Sequence, residues 1–295
     1  EQGGDGGCLG RCLDQYDSTI LGTAAAGIIW AQLAPDYGLL RCHTDLVWCF
    51  DKQHDLFVVL RLFFTESRKS GDTDYWQVSY WRENMGPLAG IKIIEMKGIG
   101  PGPYAGQLMA DLGAEVIVVE RASKPNSIAP PSALDVNSRG KRSIALDLRQ
   151  PEGLQALLQL VENADVIFEG NRPGVAERLG FGPDICLQHN PKIIYGRMTG
   201  WGQSGPLAHS AGHDYNYISL TGAAAAMGTK EQPLPPLNLV GDFAGGSMFL
   251  VVGILSALLE VHKSGVGQVI DTSITDGSAH LMSMFYTMSQ LGAWR

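Results

Sequence analysis

Lysine and arginine are in short supply, 22 against 30 aspartates and glutamates in 295 residues, which leaves a formal charge of -8. That balance offers no basic footprint for a nucleic-acid backbone or an anionic membrane surface, so neither partner is expected. Cysteine is sparse and unevenly placed: Cys8, Cys12, Cys42 and Cys49 fall in the first fifty residues and Cys186 stands alone. The spacings match neither a zinc ribbon nor a zinc finger, so free thiols and no metal centre are expected. Cys186, in a helix-like stretch, reads as a small buried hydrophobe. Long apolar runs are missing as well. Residues 244–259 fall short of the roughly 20 that a transmembrane helix needs, and 56–64 are interrupted by Arg61, so no membrane span is expected. The N-terminus lacks the basic start and clean apolar core of a secretory signal, and its acidic residues do not suit a transit peptide. A cytoplasmic location is expected, or a mitochondrial or peroxisomal one in a eukaryotic cell.

The chain has two textures. Residues 1–84 show a glycine-rich start, an alanine-rich patch at 22–31 and then mixed aromatics and charges without a face, so no fold is assigned to this extension and an unordered segment fits it. From residue 85 onward, short runs rich in Ile and Val alternate with longer helical patterns, the signature of βαβ units and a parallel sheet. Strands are expected at 91–95, 115–120, 144–148, 165–169, 192–197 and 268–271. Helices are expected at 104–112, at 151–163 with Pro151 in the first turn, in the apolar stretch after Gly246, and at 277–291. The fold class is therefore α/β: an open, Rossmann-like parallel sheet with flanking helices over 85–295.

After the first strand comes Gly100-Pro101-Gly102-Pro103-Tyr104-Ala105, which fits a dinucleotide fingerprint, with Glu120 about twenty positions on. Pro101 and Pro103 remove two of the backbone N–H donors on which that motif depends, so a tight strand-to-helix turn is the better reading. Arg121, Arg139, Lys141, Arg142, Arg149 and Arg172 fall at or just past expected strand ends, which in an open parallel sheet converge on one crevice. As a set they suit a phosphate-bearing ligand, although any single one could be a solvated loop charge. Farther on, His213 and Asp242 each stand among glycines, where backbone approaches a ligand closely. His213 also suits a helix start, and Asp242 a cap or a partner of the helix dipole.

From Gly86 to the end the chain resembles the class III CoA-transferase (CaiB/BaiF) family, and within it the α-methylacyl-CoA racemase branch. The residues that carry the resemblance are Gly86-Pro87-Leu88-Ala89-Gly90, Asp111-Leu112-Gly113-Ala114-Glu115-Val116, Arg139-Gly140-Lys141-Arg142-Ser143, Arg172-Pro173-Gly174-Val175, Gly202-Gln203-Ser204-Gly205, Gly212-His213-Asp214-Tyr215-Asn216-Tyr217 and Pro236-Leu237-Asn238-Leu239-Val240-Gly241-Asp242-Phe243.

The resemblance implies the coenzyme A-binding large domain of that fold, incomplete at its C-terminus, because members continue beyond the point matched by Arg295. It implies that His213 and Asp242 are the two proton-transfer residues, and that Arg121, Arg149, Arg172 and Arg178 hold the phosphates and adenine of coenzyme A. The implied activity is interconversion of (2R)- and (2S)-2-methylacyl-CoA thioesters through an enolate. Inversion of a stereocentre that way wants one base on each face. Histidine titrates near neutrality, and an aspartate does so in a dry site. The helix start after Asp242 is expected to supply N–H groups to the enolate oxygen. No cofactor is implied, since coenzyme A is part of the substrate, and members are homodimers. Two alternatives stand beside this: a class III CoA-transferase with Asp242 as nucleophile, and a fragment that binds coenzyme A without catalysis.

Overall fold

The computed structural model describes residues 86–122, 135–229 and 231–294, and the backbone of three short strands between 39 and 59. The chain separates into two compact units, Glu1–Tyr75 and Trp76–Arg295. In the first, β1 (Leu39–Arg41), β2 (Val47–Phe50) and β3 (Leu56–Val59) pair antiparallel in chain order. Strands of three and four residues carry too few alternations for a period to show in the sequence. Cys8, Cys12, Cys42, the alanine-rich patch and the side chain of Cys49 lie outside the described residues.

The second unit is built on six strands: β4 (Lys92–Met96), β5 (Glu115–Arg121), β6 (Lys141–Leu146), β7 (Val166–Glu169), β8 (Ile194–Thr199) and β9 (Val269–Ser273). They lie in the order β6-β5-β4-β7-β8-β9, and every pairing is parallel. The chain thus runs outward from β4 to β6, returns beside β4 as β7, and runs outward on the other side. This is the Rossmann-like arrangement expected from the alternating pattern. Its switch point, between the C-terminal ends of β4 and β7, is where such sheets open a crevice.

Both faces of the sheet are covered. On one, Ala105 and Met109 of the helix Pro101–Asp111, with Leu250 and Ile254 of the helix Phe249–Ser264, pack over Ile93, Phe168 and Met198. On the other, Leu157 and Val161 of the helix Pro151–Val161, with Cys186 of the helix Pro183–His189, pack over Ile94, Ile167 and Tyr195. Cys186 is fully buried, and burial pushes its thiol up to about 12, so it packs as a hydrophobe and does not react.

Two boundaries correct the sequence reading, with consequences for charge. β6 begins at Lys141, three residues before the expected start, so Arg139, Lys141 and Arg142 precede or open the strand instead of following one. The backbone of all three lies toward the edge of the sheet away from the crevice, and the Lys141 amine reaches up to the Pro103 carbonyl at 2.8 Å. Arg139 pairs with Asp111, Arg142 with Glu115, and Lys141 with Glu95 at 2.6 Å, both side chains of this last pair being almost completely buried. Burial outweighs attraction there, raising the Glu95 carboxyl to about 7 and lowering the Lys141 amine. The apolar stretch after Gly246, in turn, is the continuation of a π-helical segment, Leu239–Met248, which runs straight into Phe249–Ser264. The joined rod of 26 residues contains a window of mean hydropathy 1.9 and is long enough to cross a bilayer, contrary to the expectation from the shorter run. Its buried face, Leu250, Val251, Ile254, Ala257 and Leu258, lies on the sheet, while Val252 and Leu259 are exposed.

Candidate active site

Asp242 sits in the first turn of the π-helical segment, partly buried, at the C-terminal edge of the sheet. The turn that follows β4 comes up against it. A methyl group on Gly100, whose φ is 73°, would lie 3.1 Å from Asp242 Oδ2. The glycine of the apparent dinucleotide fingerprint therefore makes room for a carboxylate. Ser247, fully buried, ties the two segments together: its hydroxyl donates to the carbonyl oxygens of Pro101 at 2.7 Å and of Asp242 at 3.1 Å. The chain enters this helix through Leu237, a non-glycine residue at φ 57°, a conformation that costs on the order of 1 kcal/mol and is common beside functional sites.

His213 is the exposed N-terminal residue preceding the helix Asp214–Leu220, and its amide donates to Asn216 Oδ1 at 3.0 Å. Its approach is fixed by Tyr217, whose hydroxyl donates to the carbonyl of Gly212. The Tyr217 ring meets Trp201 edge-on, with ring centroids 4.7 Å apart, and leaves no space for a side chain on Gly200 or Gly212. That explains the glycines around the histidine without recourse to a ligand. An open groove of about 430 Å³ runs past the residues flanking His213, with Trp201, Leu207, Ala211 and Leu220 among its walls.

The structure brings His213 and Asp242 into one electrostatic environment. The Asp242 carboxyl is raised to about 6, first by burial and second by the charge of Asp214, against an opposing hydrogen bond from Asn238 and the attraction of His213. Such a carboxyl changes protonation close to neutral pH, as a proton carrier must. Tyr217 is raised as well, mainly by burial, and feels both Asp242 and Arg172.

Asp214 belongs to this environment too, although the sequence analysis gave it no role. The residue is buried, and its Oδ2 accepts the Asp242 amide at 2.6 Å. That contact also corrects the expected oxyanion donors. The Asp242 amide serves Asp214, and the Phe243 amide donates to the Asn238 carbonyl at 3.2 Å, so these groups are already engaged. The helix does not begin after Asp242; it begins three residues earlier, at Leu239.

The four arginines assigned to coenzyme A all lie toward the C-terminal ends of strands. Arg121 ends β5 and is in register with Leu146 of β6, three residues before Arg149. Arg172 follows β7, and Arg178 ends the short helix Val175–Arg178, with its guanidinium 3.2 Å from where a Cβ on Gly174 would be. All four are exposed, and none enters an ion pair among the described residues. Beneath Arg172 and Arg178 a buried network holds the loop: the Asn171 amide donates to Glu169, and Arg197 reaches Glu169 and, at 2.7 Å, Glu177.

A parallel sheet of this order, with an acid, a histidine and exposed arginines toward the C-terminal ends of its strands, defines a Rossmann-like α/β domain. Residues 88–293 match the model of CoA-transferase family III, and the chain belongs to that family. It is 43% identical over 209 residues to the α-methylacyl-CoA racemase of Mus musculus, covering 70% of this chain and 53% of that protein. It is 36% identical over 209 residues to a probable fatty acyl-CoA transferase of Mycobacterium tuberculosis, covering 67% and 52%. The crystal structure of a CAIB/BAIF family protein from Brucella suis superposes with a TM-score of 0.65 at 30% identity, over 71% of this chain and 59% of that one. The chain spans about half the length of the curated relatives it matches.

Proposed function

We propose that this chain carries the proton-transfer half of a 2-methylacyl-CoA racemase, in which His213 and Asp242 exchange the α-proton of the thioester. The observation that carries the reading is the Asp242 carboxyl, raised to about 6 and sharing its surroundings with the His213 imidazole. One group accepts the α-proton as the other donates to the opposite face, so the C–H bond broken on one side is remade on the other with no net change of charge on the substrate. Arg121, Arg149, Arg172 and Arg178 hold the phosphates of coenzyme A, and the groove beside His213 offers an apolar wall to the acyl chain. Two copies of the protein assemble around such sites in this reading.

A second reading is favoured by the relatives named as transferases: the Asp242 carboxylate attacks the thioester carbonyl, the C–S bond breaks with release of the coenzyme A thiolate, and an acyl anhydride is left on Asp242. His213 supports the first, because a transferase needs no second base. Deuterium incorporation at the α-carbon of a 2-methylacyl-CoA in heavy water separates the two. Exchange by the wild-type chain that is lost in His213→Ala is the expected result. Exchange that survives this substitution, or coenzyme A transfer to a carboxylate acceptor without exchange, would sink the racemase assignment.

A further inference from the structure

One buried acid beside the site has no part in the proton transfer as described. Asp214 is 7% exposed, directly follows His213 and opens the helix Asp214–Leu220. Its carboxylate accepts a backbone hydrogen bond from the Asp242 amide at 2.6 Å and lies directly against Gly241. The fit is close enough to exclude a side chain at position 241: a Cβ there would lie 2.3 Å from Asp214 Oδ2. The other oxygen, Oδ1, is buried without a hydrogen-bond partner.

We propose that Asp214 is a positioning residue: its buried carboxylate anchors the Asp242 turn beside His213 and sets a second negative charge against the Asp242 carboxyl. One residue then does two things for the pair. It fixes the backbone on both sides, adjoining one proton carrier in the chain and binding the amide of the other. It also makes ionisation of Asp242 harder, since two nearby carboxylates resist carrying charge together.

The groups facing Asp242 are Asp214, His213 and Tyr217 from the loop and helix around residue 213, and Asn238 from its own segment. The helices packed on that segment carry Tyr104, Asp276 and His280, none of which perturbs the Asp242 carboxyl. Burial raises the Asp214 carboxyl and prevails over the backbone N–H groups of the 241–242 turn, which favour its charged form. The assignment rests on the proton-transfer reading for its purpose.

The test is a carboxyl-carbon NMR titration of the full chain labelled with 13C-aspartate, in the wild type, Asp214→Asn and Asp242→Asn, the last two assigning the two signals. Asparagine retains an oxygen for the Asp242 amide and removes the charge. The expected result is an Asp242 midpoint near 6 in the wild type that falls in Asp214→Asn but stays above 3.8, because burial remains, with Asp214 ionising before Asp242 in the wild type. An unchanged midpoint overturns the proposal. So does a wild-type Asp214 that keeps its proton until after Asp242 has ionised, a result available even if the variant does not fold. Deuterium exchange on the same samples keeps the two ideas apart. If the wild type exchanges, the acid limb of its pH profile shifts downward in Asp214→Asn; if it does not, the racemase reading fails and the titration still decides the role of Asp214.

Discussion

At the residue scale the molecule keeps several carboxyls where water cannot reach them, and each puts a pH dependence on the fold. Glu169 is 1% exposed, and its carboxyl is raised from 4.5 to about 7 by burial, against the Asn171 amide and the Arg197 charge. The folded protein therefore binds more protons than the unfolded chain between pH 4.5 and 7, so stability is greatest at the acid end of that window and falls as pH rises through it. The loss attributable to this residue is on the order of 2 kcal/mol. Glu169→Gln keeps an oxygen for the Asn171 amide and abolishes the titration. Urea unfolding at pH 5 and pH 8 should show the wild type losing more stability across the interval than the variant. Equal losses in the two proteins would mean that Glu169 ionises in the fold as readily as outside it. Glu95 and Asp242, raised in the same sense, remain in both proteins and cancel in the comparison.

At the scale of elements, the buried parts were legible and the edges were not. β4, β5, β7 and β8 fall within two residues of where their Ile and Val runs place them, because strands buried on both faces have to be apolar throughout. β6 is an edge strand with no fully buried residue, so its first half, Lys141-Arg142-Ser143, carries no apolar signal, and its start was read three residues late. The helix expected at 277–291 is two, Ile274–Leu281 and Ser283–Gln290, and the first opens on Ser273, whose hydroxyl accepts the Asp276 amide at 2.9 Å. His213 and Asp242 were legible through their glycines. Asp214 was not, because a buried anchor and an exposed cap look alike in one dimension. The stretch 241–246 is helical although three of its six residues are glycine, and these glycines permit close approach. Gly277 meets it with comparable tightness: a Cβ on Gly277 would lie 1.9 Å from the carbonyl oxygen of Gly245. Gly277→Ala has to push the helix Ile274–Leu281 off the Asp242 segment, at a cost of roughly 1–3 kcal/mol. Gly98→Ala, whose nearest neighbour would be 3.9 Å away, serves as control. Thermal melts should show the first variant clearly destabilised and the second close to wild type; melts that coincide would contradict the packing.

For the molecule as a whole the question is how a chain with a formal charge of -8 would attract a ligand that carries several phosphates. Its overall field is repulsive, so any attraction has to be local. Arg149, Arg121 and Arg172 stand past the ends of β6, β5 and β7, strand ends that span about 14 Å across the sheet. An anion seated there lies within a few ångströms of each guanidinium it touches and much farther from most of the acidic surface. Added salt acts on these two contributions with different strength. Between about 0.1 M and 1 M the screening length falls from roughly 10 Å to roughly 3 Å, which removes the distant repulsion early and then erodes the exposed contacts themselves. If the arginines bind the phosphates, coenzyme A affinity measured by calorimetry should fall over that range, and Arg121→Gln and Arg172→Gln should each flatten the dependence while weakening binding at low salt. An affinity that rises with salt would mean that long-range repulsion outweighs local attraction, and the phosphates would then have to be sought away from this edge of the sheet.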